Sequence, residues 1–146
     1  MAQQELFRFN RDLKAFSSKL GIDLTTVVKK IGLDLFRRIV EKTPVDTGRA
    51  RASWTIAIAK PDRTVAAPGL HAEYQTDATG AAAGKANSVL ASMKAGTYQP
   101  VWISNNLPYI EALEKGHSKQ AAPGVMVALS IAETELELDT ATGAIR

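Results

Sequence analysis

The stretch TPVDTGRARASW, residues 43–54, decides how the two halves of this chain are joined. An amphipathic segment precedes it and an alternating apolar segment follows it, so the chain must change direction here. Pro44 fixes its own φ, and Gly48 tolerates the positive φ that many tight turns require. The carboxylate of Asp46 is suited to accept hydrogen bonds from nearby backbone amides. The stretch is therefore predicted to be a turn that reverses the chain from helix into strand, with a motif consisting of Pro44, Asp46, Thr47, Gly48 and Trp54.

Two amphipathic helices are predicted upstream of this turn, over residues 4–42. Apolar side chains recur at spacings of three and four from Leu6 to Leu20, which is typical of one helix face. Gly21 suits the end of that helix, and Asp23 suits the N-cap of the next. The second helix has a broad apolar face, and Thr43 ends it, because the residue before proline is pushed out of helical geometry.

Two strands are predicted downstream of the turn. Trp54, Ile56 and Ile58 alternate with smaller or polar residues, as in a half-buried strand. Val101 to Ser104 forms a second candidate, which the turn-forming pair Asn105-Asn106 would close.

The rest of the downstream chain is predicted to hold short helices and one long loop. Residues 81–95 and 108–116 have helical patterns, and residues 61–80 read as a long irregular excursion that is mobile and reaches a neighbouring molecule. The pattern after Val125 favours a helix to about Leu136, although its alternating Glu and Leu residues also fit a strand.

These elements indicate an α+β fold in one domain, residues 1–146. Its parts are N-terminal helices over 4–42 packed on a small antiparallel sheet, a sheet-and-helix body over 53–136 with the excursion at 61–80, and a C-terminal tail over 137–146.

Composition bounds the function. The 146 residues include no cysteine, which excludes disulfides and cysteine-based metal sites. No apolar run approaches the roughly 18 residues that a membrane span needs, and the amino terminus lacks a secretory pattern, so we expect a cytosolic origin without membrane contact. Residues 1–60 hold 12 Lys and Arg against 6 Asp and Glu, while residues 61–146 hold 6 against 9. Such asymmetry suits head-to-tail contact between copies or a basic face near nucleic acid.

The residues with catalytic potential do not form an enzyme signature. Asp-Thr-Gly occurs in dimeric aspartic proteases, but there it needs a paired carboxylate in an apolar, strand-rich setting. Here it follows a helix and precedes Arg49. His71 and His117 lie far apart and lack acidic neighbours at metal-binding spacing, so no metal and no cofactor is expected.

Basic residues offer an alternative function as a small nucleic-acid-binding module. They could face DNA phosphates without reading sequence, although acidic residues are interspersed and no aromatic platform accompanies them. A solvated helix face is the simpler interpretation. The candidates are Lys29, Lys30, Arg37, Arg38, Arg49 and Arg51.

Two blocks of the sequence resemble the tailed-bacteriophage minor tail component family, often called gp ten-like. The first is TPVDTGRARASW after a long helix, and the second is VWISNNLPYIEALEKGHSKQAAPGVMVAL, residues 101–129. Their order and spacing agree with the family, except that the alanine in QAAPGVM is doubled. The matching positions are Pro44, Asp46, Thr47, Gly48, Ser53 and Trp54; Asn105, Asn106 and Tyr109; Leu113, Glu114, Gly116, His117 and Ser118; and Ala122, Pro123, Gly124 and Met126.

The resemblance implies a non-enzymatic virion protein of the phage neck, assembled in the bacterial cytoplasm. Family members join head to tail as a ring of six or twelve copies around the DNA channel. The implied partners are further copies, a portal adaptor or stopper, and a tail terminator or tail tube, with possible non-specific contact to packaged DNA. Within this interpretation Glu114 and His117 hold the loop after a short helix or contact another subunit. The candidate assembly residues are Asn105, Asn106, Tyr109, Glu114, Gly116, His117, Ser118 and Pro123.

Overall fold

A computed structural model of the chain has the predicted α+β architecture. It describes residues 23–94, 99–116 and 122–142, with side chains of the last helix up to Leu138. Within these residues six helices accompany one antiparallel sheet of two strands. The elements in chain order are α1 (Leu24–Lys42), α2 (Arg49–Ala52), β1 (Trp54–Ile58), α3 (Ala72–Thr76), α4 (Ala78–Leu90), β2 (Val101–Asn105), α5 (Ile110–Glu114) and α6 (Val127–Thr142).

Local signals place both ends of α1 as predicted. The Asp23 carboxylate accepts a hydrogen bond from the backbone N–H of Thr25 at 3.0 Å, which satisfies one free donor of the first turn. At the other end Thr43 adopts an extended conformation, φ −71° and ψ 130°, as expected before a proline. The helix predicted over residues 4–20 lies outside the described residues.

The core lies between α1, α4 and one face of the sheet. The strands pair in register from Trp54 opposite Asn105 to Ile58 opposite Val101. Trp54, Ile56 and Ile58 lie in or against the core cluster, as the predicted alternation requires, but Thr55 between them is also buried, so β1 is not half-buried along its whole length. Small residues at Ala82 and Ala86 allow α4 to pack closely on α1. The buried cluster consists of Phe36, Ile39, Val40, Trp54, Ile56, Tyr74, Ala82, Ala86, Leu90 and Met93.

The expected 61–80 excursion is wrong in its second half. Helix α3 begins at Ala72, and α4 begins at Ala78 after the Asp77 carboxylate accepts from the N–H of Gly80 at 3.0 Å. Tyr74 belongs to the core, with only 6% of its surface exposed. Removing residues 61–80 would therefore take a core side chain with it and would not leave an intact domain.

The predicted boundary at residue 137 is also wrong, because α6 continues to Thr142. Ser130, Thr134 and Leu138 recur every four residues and are all buried, which is helical and not strand periodicity. Leu138 packs on Val27 and Ile31 of α1. The sequence alternates Glu with Thr or Leu as a strand would. The burial does not follow this alternation, because Thr134 and Leu138 are buried whereas Leu136 is 63% exposed.

Two ion pairs fasten α6 to α1. The Lys42 ammonium lies 2.6 Å from the Glu133 carboxylate, and the Arg38 guanidinium contacts both the Glu137 carboxylate and the Thr134 hydroxyl. The order of these contacts makes the two helices antiparallel. Half-exposed pairs of this kind contribute at most about 1 kcal/mol each, so the apolar contact of Leu138 stabilises the helix pair more than either of them.

A buried pair of hydrogen bonds joins the end of α1 to the start of β1. The Thr43 hydroxyl donates to the carbonyl of Ile39 at 2.8 Å and accepts the indole N–H of Trp54 at 2.8 Å. All of these groups are shielded from water, so losing one partner would leave the other unsatisfied.

We expect Trp54→Phe to lower the free energy of unfolding by about 2–4 kcal/mol, because it removes the buried N–H donor and leaves a cavity. Urea denaturation followed by circular dichroism measures this change. Trp102→Phe is the matched control: Trp102 is 44% exposed, so the same substitution there should cost under about 1 kcal/mol. Equal losses at the two positions would contradict the proposed role of the buried pair.

Candidate functional site

The first sequence block, residues 43–54, forms a turn that includes one short helix before β1 begins. Gly48 has φ +90° and immediately precedes α2, which occupies Arg49–Ala52. This short helix within the turn was not predicted from the sequence. The Thr47 hydroxyl accepts from the N–H of Arg49 at 3.3 Å, so Thr47 provides a side-chain acceptor at this turn of the kind that the prediction assigned to Asp46.

Gly48 is required by two constraints at once. Its φ lies in the left-handed region that side chains rarely adopt. A Cβ there would also lie 2.5 Å from the carbonyl oxygen of His71. That close approach exists because the N–H of His71 donates to the carbonyl of Thr47 at 2.8 Å, which ties the segment before α3 to the turn.

Arg51, one of the candidate DNA-facing residues, is hydrogen-bonded to the backbone of its own chain. Its guanidinium donates to the carbonyls of Thr43 at 2.8 Å, Tyr74 at 2.9 Å and Glu41 at 3.2 Å. These acceptors lie at the ends of α1 and within α3, so one side chain satisfies carbonyls that the helices leave free. Burial lowers the pKa of Arg51, and the charge of Glu41 opposes this effect.

Arg49 also donates to a backbone carbonyl of its own chain. Its Nε donates to the carbonyl of Ala66 at 2.9 Å, and the N–H of Ala66 donates to the Ser53 hydroxyl at 3.1 Å. The carbonyl of Asp62 accepts from the Thr55 hydroxyl at 2.8 Å. The segment before α3 is thus fastened along α2 and β1 of its own chain, which contradicts the predicted mobile excursion.

The basic residues of α1 are largely engaged with acidic neighbours. Lys30 lies 3.0 Å from the Asp34 carboxylate, and Arg37 lies 3.6 Å from Asp34 and 4.0 Å from Glu41. With the contacts of Arg38, Arg49 and Arg51, five of the six proposed DNA-facing residues have intramolecular partners. For Lys29 no ion pair is seen within the described ranges.

The second sequence block meets the first at the end of the sheet. The Asn105 amide donates to the carbonyl of Ala50 in α2 at 3.0 Å, and its oxygen accepts from the N–H of Leu107 at 3.0 Å. Asn105 therefore holds the exit of β2 against the turn. Asn106 and Tyr109 lie on the surface, and Tyr109 is 43% exposed.

Glu114 caps the last helix from outside it. Its carboxylate accepts from the backbone N–H groups of Val127 and Ala128, at 3.1 Å each, and its own carbonyl accepts from the N–H of Gly124 at 2.7 Å. A carboxylate at a helix N-terminus satisfies free donors and interacts favourably with the helix dipole. The loop-holding alternative for Glu114 agrees with this geometry, while a subunit contact stays a prediction.

Gly116 and Pro123 close the loop between Glu114 and α6. Gly116 has φ +92°, and a Cβ there would lie 2.6 Å from the Cγ of Pro123. Any larger residue would push the two ends of the loop apart. His117 and Ser118, which were also predicted site residues, lie outside the described residues.

Two concave surfaces form where the sequence blocks meet. A groove of about 620 Å³ is mostly apolar and is lined by Trp54 of the first block and by Glu114 and Met126 of the second. A smaller hollow of about 270 Å³ lies between residues 44–50 of the turn and the side chains of Tyr109 and Leu113.

Sequence reasoning missed Lys85, which has a central position in α4. Its ammonium donates to the carbonyls of Ala52 and Trp54 at 2.9 Å each and lies 5.4 Å from the centre of the Tyr74 ring. Burial lowers its pKa, against the opposing charges of Asp62 and Glu73. A single lysine in an alanine-rich helix carries no sequence signal for this role, which depends entirely on what α2 and β1 present to it.

The described residues bear on two kinds of chemical site, a metal centre and the carboxylate pair of an aspartic protease. Among them no group of three His, Cys, Asp or Glu side chains is arranged to hold a metal ion. The Asp46 carboxylate is exposed, whereas an aspartic protease shields its carboxylates. No helix in the described part of the chain is long and apolar enough to cross a membrane. The polar side chains at this site chiefly satisfy backbone groups.

Comparisons of the chain with protein-family models, with curated proteins and with solved structures found no match. The family resemblance of the two sequence blocks therefore stays a prediction.

Gly48→Ala should lower the free energy of unfolding by about 2–4 kcal/mol, since it adds both a strained φ and a clash with the His71 carbonyl. Gly84→Ala is the control, because nothing lies within 4 Å of its added Cβ in the exposed face of α4. That change should stabilise the protein by up to about 1 kcal/mol. Thermal unfolding of both variants tests the pair, and a tolerated alanine at position 48 would refute the assigned constraint.

Glu114→Ala should destabilise the protein by about 1–2 kcal/mol, because two N–H donors of α6 lose their acceptor. Glu114→Gln keeps one acceptor oxygen and should lose about half as much. Hydrogen exchange of the amides of Val127 and Ala128 localises the effect. Uniform exchange changes across the protein, with these two amides unaffected, would speak against capping.

Proposed function

We propose that this chain is a structural protein of a tailed-phage virion, a neck or tail-completion component that forms a ring around the DNA channel. The proposal rests on the resemblance of residues 43–54 and 101–129 to the minor tail component family. It takes the protein to work without catalysis, through contacts with copies of itself and with other neck proteins.

The observation that carries the proposal is the convergence of the two blocks. Roughly fifty residues of chain separate them, yet Asn105 donates to α2 directly, and Trp54 shares a groove with Glu114 and Met126. Two signatures that serve one structural unit should meet in this way. A chance match of two short motifs would not require it.

The roles of the motif residues support a building block over an enzyme. Thr43, Asn105 and Glu114 each bind backbone or indole groups that would otherwise be unsatisfied. Gly48 and Gly116 allow backbone approaches that other residues would block. A motif made of such residues keeps a shape, and shape is what a ring subunit must present to its neighbours.

Exposed members of the second block are the best candidates for contact with other proteins. Asn106 and Tyr109 lie at the surface, and Tyr109 lines the smaller hollow. Aromatic residues are enriched at protein interfaces. The opposed charges of the two halves are less available for such contact, because Arg38 and Lys42 already pair with Glu137 and Glu133 within the chain.

The nucleic-acid-binding alternative receives less support. Binding to phosphates needs cations that are free to replace counterions. Here Arg49 and Arg51 donate to backbone carbonyls, and Lys30 and Arg37 lie beside carboxylates. Contact with packaged DNA in a ring would then involve fewer of these residues than the sequence suggested.

The function is tested with a phage that encodes this chain. Particles made without it should contain filled heads and separate tails that do not join, as seen by electron microscopy. The variant Asn106→Ala/Tyr109→Ala should fold normally and yet reduce joining at least tenfold, because it removes exposed contacts only. Asn87→Ala, an exposed asparagine on α4, is the matched control and should join normally.

Two results would overturn the proposal. One is complete, infectious particles that lack the protein. The other is a purified, folded protein that binds short duplex DNA tightly, with the binding lost on Lys29→Ala, while head–tail joining does not depend on it.

A further inference from the structure

An exposed tryptophan lies near the end of the sheet that is farther from the turn. Trp102 of β2 is 44% exposed, and its indole N–H donates to the carbonyl of Ala59 at 3.0 Å. This hydrogen bond fixes the orientation of the ring against the end of β1. Tryptophan is among the side chains that contribute most to binding at protein interfaces. An exposed indole held in one orientation is therefore a candidate contact for a partner.

The bend after β1 places two basic side chains next to the residue that holds this ring. Ala59 has φ +75°, which is rare for a residue other than glycine, and its N–H donates to the carbonyl of Pro100 at 2.8 Å. Backbone strain of this kind persists only where surrounding contacts fix it, and it is frequent at functional sites. Lys60 and Arg63 follow in the same bend and are exposed, without an ion pair among the described residues.

The acidic residue of the bend is engaged with its own backbone. The Asp62 carboxylate accepts from the N–H and the hydroxyl of Thr64, at 2.9 and 2.8 Å. The Asp62 carbonyl accepts from the hydroxyls of Thr55 and Ser104, which folds the bend over the outer face of the sheet. Two cations against one carboxylate leave the bend with a net positive charge. The surface formed by Lys60, Arg63 and Trp102 is called the basic knob below.

The groove beside Trp54 has the complementary size and surface. Its floor is apolar and includes Trp54, Met126 and Ile131. Its volume of about 620 Å³ lies within the roughly 300–1,000 Å³ of pockets that enclose whole ligands, so an indole ring and parts of its neighbours fit there. Open apolar surfaces of this kind mark sites where another molecule binds.

The charge of the groove is opposite to that of the basic knob. Among its described lining residues three are carboxylates and none is a cation. Glu114 caps α6, whereas Glu111 and Glu135 form no ion pair with any described residue. Lys115 is exposed at the end of α5 but does not line the groove. Two carboxylates are thus available to a cationic partner.

The basic knob and the groove of one chain cannot meet. Trp54 lies opposite Asn105 and Trp102 lies opposite Ala57, so the alternation of side chains puts the two indoles on opposite faces of the sheet. Ala59 also lies five residues beyond Trp54, about 16 Å along the strand at 3.3 Å per residue. Any contact between the two surfaces is therefore made between two molecules.

We propose that the basic knob of one copy docks in the groove of the next copy, with the Trp102 indole on the apolar floor. Lys60 and Arg63 then lie beside Glu111 and Glu135 of the neighbour, and this complementarity sets the orientation of the contact. A contact between two different surfaces repeats from copy to copy and closes into a ring when the rotation between copies allows it. In naming the contact within the ring, the inference rests on the proposed function.

Disulfide trapping between two forms of the full chain tests the docking. The natural sequence has no cysteine, so only introduced cysteines react. A Lys60→Cys chain is mixed with an affinity-tagged chain carrying Glu111→Cys or Glu135→Cys and is oxidised mildly. We expect a mixed disulfide of tagged and untagged chains in at least one of the two mixtures, identified by its mass on non-reducing electrophoresis.

The matched control replaces Lys60→Cys by Asn87→Cys. Asn87 is exposed on α4, which packs against the core face of the sheet, whereas Trp102 lies on the outer face. The control should form at least tenfold less mixed disulfide. Equal yields from the two mixtures, or disulfides chiefly between identical chains, would refute the docking.

An exchange of charges tests the polar part of the contact. Lys60→Glu/Arg63→Glu and Glu111→Lys/Glu135→Lys should each weaken self-association at least tenfold, because the basic knob and the groove then carry like charges. An equimolar mixture of the two variants should recover it, since every contact between unlike chains joins opposite charges. Sedimentation velocity measures both effects, and Lys29→Glu/Lys30→Glu, with the same change of net charge on α1, should associate normally. Loss in both variants without recovery in the mixture would count against the docking.

Both tests use the purified protein, so their outcome is independent of the phage. If the contact forms but particles that lack the chain still join and infect, the neck function fails and the docking stands. If joining requires the chain but no mixed disulfide forms and the charge exchange restores nothing, the docking fails and the neck function stands.

Discussion

The buried hydroxyl of Thr43 fixes the position of α1 relative to the sheet. It donates to the carbonyl of Ile39 in the last turn of α1 and accepts the indole N–H of Trp54 at the start of β1. Both hydrogen bonds are buried, so neither can be exchanged for water without cost. The pair fixes where the long helix ends relative to the sheet, and everything between residues 43 and 54 has to fit this separation.

The turn fits because backbone carbonyls are satisfied by side chains from several directions. Arg51 binds carbonyls at the end of α1 and in α3, and Lys85 binds the carbonyls of Ala52 and Trp54 from α4. Asn105 reaches Ala50 from the end of β2. These side chains satisfy carbonyls of the irregular backbone, as backbone hydrogen bonds satisfy those within helices and strands.

The intramolecular contacts of the charged side chains affect which surfaces are available for the proposed function. Several charged residues take partners within the chain, whereas Tyr109 and the groove beside Trp54 leave aromatic and apolar surface open. Surfaces of this kind suit permanent assembly better than transient binding to a polyanion. The proposal of a neck protein that forms a ring is consistent with such a surface.

The sequence by itself determined the elements whose signals are local. Asp23 and Thr43-Pro44 mark the ends of α1, alternation marks β1, the Asn105-Asn106 pair marks the end of β2, and Gly48 marks the turn. Each signal depends on the φ and ψ preferences or the side-chain period of a few adjacent residues. It also indicated the α+β class, since broad apolar helix faces and half-buried strands must cover one another. Its failures were also local in origin. The Asp77 cap of α4 lay hidden in an Ala- and Gly-rich stretch, and Glu and Leu alternation disguised the end of α6.

Only the tertiary structure decided which partner each charged side chain takes. Arg49, Arg51 and Arg38 look alike in sequence to any solvated or DNA-facing arginine, yet they bind the Ala66 carbonyl, three helix-end carbonyls and the Glu137 carboxylate. Lys85 gave no signal at all. The reason is physical: a cation chooses between water and an acceptor according to what lies within about 3 Å, and residues distant in sequence supply that acceptor only after the chain has folded.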